Sequence, residues 1–142
     1  MTRLLALLLS CAALAVIAGP ALAAGGQTIT PTTKQKASII RGWAAMGDAT
    51  KKYPAKCFTV KISRSNRVLA GLAFNSDGGA DCITVAFDGT ALLWNQGFSW
   101  TTLIAGSSIF QSTCSPLKQL IGVKPWQDLA GFISGLGCPV TA

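Results

Sequence analysis

FTVKISRSNRVLAGLAFN, residues 58–75, decides how this chain folds. Its first third alternates. Phe58, Val60 and Ile62 are apolar while Thr59, Lys61 and Ser63 are polar, the period-two pattern of a half-buried strand. Ser65-Asn66 supplies a turn. From Arg67 to Asn75 the apolar residues Val68, Leu69, Ala70, Leu72 and Phe74 occupy both parities, which predicts a central strand covered on both faces.

The pattern continues outward in both directions. SDGGAD, residues 76–81, reads as a loop, and Ile83, Val85 and Phe87 predict a third strand ending at the hairpin signal Asp88-Gly89. Ala91 to Trp94 returns as a fourth strand, Gln96-Gly97 turns again, and Phe98 to Ile104 forms a fifth. Upstream, Thr32 or Thr33 caps a helix expected to run to about Lys52, with Ile39, Ile40, Trp43, Met46 and Ala49 on one face. Gly42 and Gly47 weaken that helix and mark places where a strand packs closely. Gly106 to Thr113 is loop-like. A last helix is expected from Pro125 through Trp126, Leu129, Phe132, Ile133 and Leu136, stopped by Gly137. The expected fold is therefore α+β, with an N-terminal helix, an antiparallel meander of four to five strands and a C-terminal helix.

Residues 1–23, MTRLLALLLSCAALAVIAGPALA, have the order of a secretory signal peptide: basic Arg3, an apolar run, Gly19-Pro20, then the small-residue triplet ending at Ala23. The run is too short and too interrupted for a transmembrane anchor, and no transmembrane segment is expected after cleavage. Leu8-Leu9-Ser10-Cys11 loosely matches a lipobox, but the residues after Cys11 stay apolar where a tether would be polar. The expected division is signal peptide 1–23, flexible leader 24–33 (within the polar AGGQTITPTT) and one secreted domain over 34–142, placed outside the cell or in the periplasm. In that compartment Cys57, Cys82, Cys114 and Cys138 are expected to form two disulfides. The local pairing 57–82 and 114–138 is preferred among three. Each closes a loop of about 25 residues, which contributes roughly 3 kcal/mol in the loop-entropy treatment.

Charge is uneven. Between Ala24 and Arg67 nine bases face one carboxylate, Asp48, a net +8; from Val68 onward Lys118 and Lys124 face Asp77, Asp81, Asp88 and Asp128, a net −2. The split suggests attraction to an anionic surface through Lys51, Lys52, Lys56, Lys61, Arg64 and Arg67. Excess lysine for solubility is the plain alternative. Tyr53 is the only aromatic between Lys51 and Lys56, so specific nucleic-acid binding is not expected.

The catalytic inventory is thin. The chain has no His, and its five carboxylates are all Asp, so neither a Ser-His-Asp nor a Cys-His arrangement can be assembled from it. No CxxC and no His argue against zinc, and Asp77 with Asp81 in a Gly-rich loop does not match a calcium hand. Ser115-Pro116-Leu117-Lys118 fits S-x-x-K, but no K-T-G follows it. Trp94 and Trp100 lie on neighbouring expected strands, as core or as a stacking platform. No cofactor, metal or catalytic residue is expected.

Ile62-Ser63-Arg64 before an apolar strand, Phe98-Ser99-Trp100 running to Ala105-Gly106-Ser107-Ser108, Cys114, and the late Val123-Lys124-Pro125 with Asp128-Leu129 form a recurring set. In these motifs the chain resembles a pattern in small secreted bacterial proteins, departing from it at Val68-Leu69, where Trp is usual, and at Lys124, which separates Val from Pro. The resemblance implies this fold and export, and transfers no active site. The expected function is a non-enzymatic binding module with a basic face for an anionic envelope component or an acidic protein. The alternative is an inhibitor or immunity-type protein that blocks a secreted enzyme with a rigid loop, SDGGAD or 106–113. A hydrolase using Asp or Ser-Lys chemistry is a third class.

Overall fold

The computed structural model describes residues 26–47, 53–75, 78–83 and 89–141. The expected signal peptide, Lys51, Lys52, Asp77, Val85, Phe87 and Asp88 lie outside them. In chain order the elements are β1 (Thr28–Ile29), α1 (Thr33–Ala44), a 3-10 turn (Ala55–Cys57), β2 (Phe58–Ser63), β3 (Leu69–Phe74), α2 (Ala80–Ile83), β4 (Thr90–Asn95), β5 (Trp100–Gly106), α3 (Gln111–Ile121), α4 (Val123–Asp128) and α5 (Ala130–Gly135). The five strands form one antiparallel sheet in sequence order. The chain is thus α+β, with helix, meander and helices in the expected sequence.

Strand β3 is covered on both faces, as its double-sided apolar pattern requires. Ala70 and Leu72 face α1, in a core with Ile39, Ile40, Trp43, Phe58, Val60, Ile62, Ala91, Leu93 and Trp100. Leu69 points the other way, with Leu92, into a second core under Leu117, Ile121, Trp126, Leu129, Phe132, Ile133 and Leu136. The result is three layers: α1, the sheet, and the α3–α5 group. In β5 the register slips between Leu92 and Leu93, which pair with Ile104 and Thr102. The extra residue, Leu103, lets both Leu103 and Ile104 pack on the second core while Trp100 and Ala105 pack on the first.

Both disulfides have the preferred pairing, Cys57–Cys82 and Cys114–Cys138, with Cα separations of 5.3 and 5.7 Å. One lies in each core. The first holds the segment after β3 against the start of β2; the second closes α3 onto the chain end after α5.

Several expectations are corrected. The first helix begins as expected, with Thr32 and Gln35 exchanging side-chain-to-backbone hydrogen bonds at 3.2 and 2.9 Å. It ends at Ala44 and not near Lys52, because its buried stripe stops at Trp43 and Ala44 and Met46 is already 55% exposed. The expected third strand does not follow β3 in the sheet: Ile83 belongs to α2 and β3 pairs directly with β4, while Val85 and Phe87 lie outside the described residues. Within the expected leader, Thr28-Ile29 is instead an edge strand paired with Ile62-Ser63. The last helix is two, α4 and α5, joined at Leu129; Gly137, at φ +84°, does stop it. Helix α3 takes up the end of the expected loop 106–113 and runs through Pro116, with Cys114, Leu117 and Ile121 recurring on one buried face.

Two close approaches set the layer spacing. A Cβ on Gly42 would meet the Trp100 backbone, and one on Gly71 would enter the Phe132 ring. Gly47, by contrast, lies past the helix end, with nothing nearer than the Ala44 carbonyl oxygen at 4.0 Å. Gly42→Ala and Gly71→Ala are each expected to lower stability by about 1–3 kcal/mol through overpacking. Gly131→Ala, in α5 with open space around it, is expected to raise it by up to about 1 kcal/mol. Urea unfolding midpoints of the three variants give the order.

Candidate functional site

Of the six expected basic residues, the four that are described lie toward both ends of β2. Lys56, on the 3-10 turn before β2, forms an ion pair with Asp81 at 2.6 Å, both side chains being more than half exposed. Lys61 and Arg64 lie toward the other end of β2, whose six residues span roughly 20 Å at strand rise. Lys61 donates to Thr30 Oγ1 at 2.9 Å and Arg64 to Gln27 Oε1 at 3.0 Å. Arg67 is exposed in the β2–β3 turn. Lys51 and Lys52 lie outside the described residues.

A different base joins Arg64. Folding brings Lys124, from α4, to the rim of an open pocket of about 380 Å³ with Arg64, Gln27, Ser65, Gln127 and Asp128. The charge pattern along the chain could not reveal this pair, because 60 positions separate the two residues.

Asp128 is the hub of that pocket. Its Oδ1 accepts from the Gln27 amide at 3.0 Å. Its Oδ2 accepts from Ser63 Oγ at 2.8 Å, the Ser65 amide at 2.8 Å and Ser65 Oγ at 2.7 Å. One carboxylate therefore ties α4 to the residue before β1, to the end of β2 and to the turn after it. Partial burial alone would raise the Asp128 pKa, but the hydroxyl and amide donors from Ser65, Ser63 and Gln27 outweigh it and hold the carboxyl below the ordinary aspartate value. The motifs Ile62-Ser63-Arg64 and Asp128-Leu129 thus meet in space.

A second concavity, of about 450 Å³, runs between α1 and β5. Arg41, Ser38 and Met46 come from the helix side and Phe98, Ser99 and Thr101 from the strand side. Phe98 is fully exposed at the β4–β5 turn. That turn is held by the Gln96 amide donating to the Ser99 carbonyl oxygen at 3.0 Å and the Gly97 amide donating to Asn95 Oδ1 at 2.8 Å.

Other candidates fall apart or stay structural. Trp100 is 8% exposed under α1, while Trp94 packs against the opposite core, so the two cannot form one platform. Ser115 and Lys118 do sit one turn apart on α3 beside a pocket of about 210 Å³, and the Lys118 ammonium lies 5.9 Å from the Trp126 ring centroid. Among the described residues no three His, Cys, Asp or Glu side chains come together as a metal site, and no helix is long and apolar enough to cross a membrane. No protein-family model, curated protein or solved structure matches this chain.

Asp128→Ala is expected to cost about 1–3 kcal/mol at neutral pH, the range for hydrogen bonds to a charged group. Because the folded pKa is depressed, the stabilisation is complete above the unfolded value near pH 4 and fades as pH falls through the lower folded value. Urea midpoints at pH 7 and pH 2.5 should therefore show the gap between wild type and Asp128→Ala narrowing in acid. A gap unchanged at the lower pH would rule out the ionised carboxylate as its source.

Proposed function

We propose that this chain is an exported, disulfide-stapled binding module, without catalysis of its own, whose basic half engages an anionic partner in the cell envelope or an acidic protein. The observation that carries the reading is the charge split, +8 over residues 24–67 and −2 from residue 68 onward. The Arg64–Lys124 rim gives that charge a shaped place to act. The Asp128 negative charge there is already engaged by four donors, so it competes weakly for a partner's cations. Two bases above it present a fork and a point charge to an oxyanion. Export is supported by the leader pattern of residues 1–23 and by two disulfides of a kind that persist in oxidising compartments.

Binding to phosphatidylglycerol vesicles or polyaspartate is expected at low salt and should weaken steeply by physiological ionic strength, where the screening length is about 8 Å. The double variant Arg64→Gln/Lys124→Gln is expected to bind about tenfold more weakly at low salt. Absence of binding to both probes at low salt would overturn the reading. Intact-mass measurement of material from the native host tests export separately. The expected chain starts at Ala24 and contains no free thiol.

One observation favours an inhibitor-type alternative. Phe110 is 85% exposed in the 106–113 segment, next to Ile109, whose amide donates to the Leu136 carbonyl oxygen at 2.9 Å. A salt-resistant, stoichiometric complex with a secreted enzyme, lost on Phe110→Ser, would support that alternative.

A further inference from the structure

The α1–β5 groove carries a second, independent site. At about 450 Å³ its volume lies within the ordinary range of small-ligand clefts. Its composition is specific. Arg41 is the only charged side chain among the described residues that line it, so an anionic group fits there better than a cation. Ser38, Ser99 and Thr101 supply neutral hydroxyl donors and acceptors. Phe98 presents a whole ring to solvent on a turn fixed by backbone and Asn95 hydrogen bonds, a platform set before any ligand arrives.

The geometry discriminates between occupants. A peptide adding as a sixth strand needs the outer edge of β5. The groove lies instead over the face of β5 that α1 covers: Gly42 abuts the Trp100 backbone, and Thr102 Oγ1 donates to the Gly42 carbonyl oxygen at 3.5 Å. An acyl chain needs a deep apolar tunnel, whereas this groove is open and mixed, with Ser38, Ser99, Thr101 and Thr102 beside Ala45, Met46 and Phe98. A pyranose ring has an apolar face for Phe98 and a hydroxyl rim for the serines and threonine. If it bears a carboxylate, that group can take the planar guanidinium of Arg41.

We propose that this groove is a binding site for an acidic saccharide, with a uronate carboxylate on Arg41 and the sugar face on Phe98. The site is separate from the Arg64–Lys124 pocket, and neither reading needs the other.

Calorimetric titration of the oxidised protein with tetragalacturonate, with maltotetraose as the uncharged control, tests it. Tetragalacturonate is expected to bind more tightly than maltotetraose. Arg41→Gln should weaken the acidic oligomer by about tenfold, the loss of one charge-assisted contact, and leave the neutral one unchanged. Phe98→Ser should weaken both. Arg41 and Phe98 are exposed, so both variants are expected to unfold at wild-type urea concentrations. Arg64→Gln/Lys124→Gln should bind the oligomer like wild type, which separates the outcome from that of the anionic-partner reading. No binding of tetragalacturonate at millimolar concentration, equal affinity in wild type and Arg41→Gln, or displacement by polyaspartate acting through Arg41 would each overturn the proposal.

Discussion

Strand β3 imposes the constraint on which the rest of this fold depends. It is apolar on both faces, so it is stable only between two covering layers. The first is α1, whose Ile39, Ile40 and Trp43 lie over Ala70 and Leu72. The second is the α3–α5 group, with Phe132 seated over Gly71 and Trp126 almost wholly buried. Small residues at the contact points decide how near the layers come. Gly42 brings α1 onto Trp100, and Gly71 leaves room for an aromatic ring. A domain with two thin cores has little apolar material in each, and each core contains its own disulfide. The crosslinks limit the freedom of the unfolded chain where packing alone contributes least.

The same layering creates both candidate sites. The Arg64–Lys124 pocket lies where the end of β2 meets α4, and it is pinned by the four-donor Asp128 carboxylate. The α1–β5 groove lies at the opposite sheet edge, where the helix approaches through Gly42 and leaves Arg41 and Met46 facing Phe98. Both are open concavities of mixed polarity.

Asp128 also joins two short motifs that lie far apart in the chain. Ile62-Ser63-Arg64 and Asp128-Leu129 are remote in sequence, yet Ser63 and Ser65 donate to the Asp128 carboxylate while Ile62 and Leu129 fill the two cores. The two short motifs describe one staple between sheet and helix.

Period-two alternation over 58–63, the two-sided apolar run of β3, the Thr32 cap and Gly137 stop, and the choice of local cysteine pairs were all determined by the sequence, because each rests on interactions within a short stretch of chain. The third strand expected at 83–87 shows where that locality fails. Ile83, Val85 and Phe87 alternate like a strand, but β4 takes the place beside β3 and Ile83 turns into α2. Pairing preference between whole strands is a tertiary competition, and alternation cannot score it. Likewise only the folded chain could place Lys124 beside Arg64, send Trp94 and Trp100 to opposite faces and make Asp128 a hub. Those results depend on which surfaces are brought together by burying β3, and burial is a property of the whole chain.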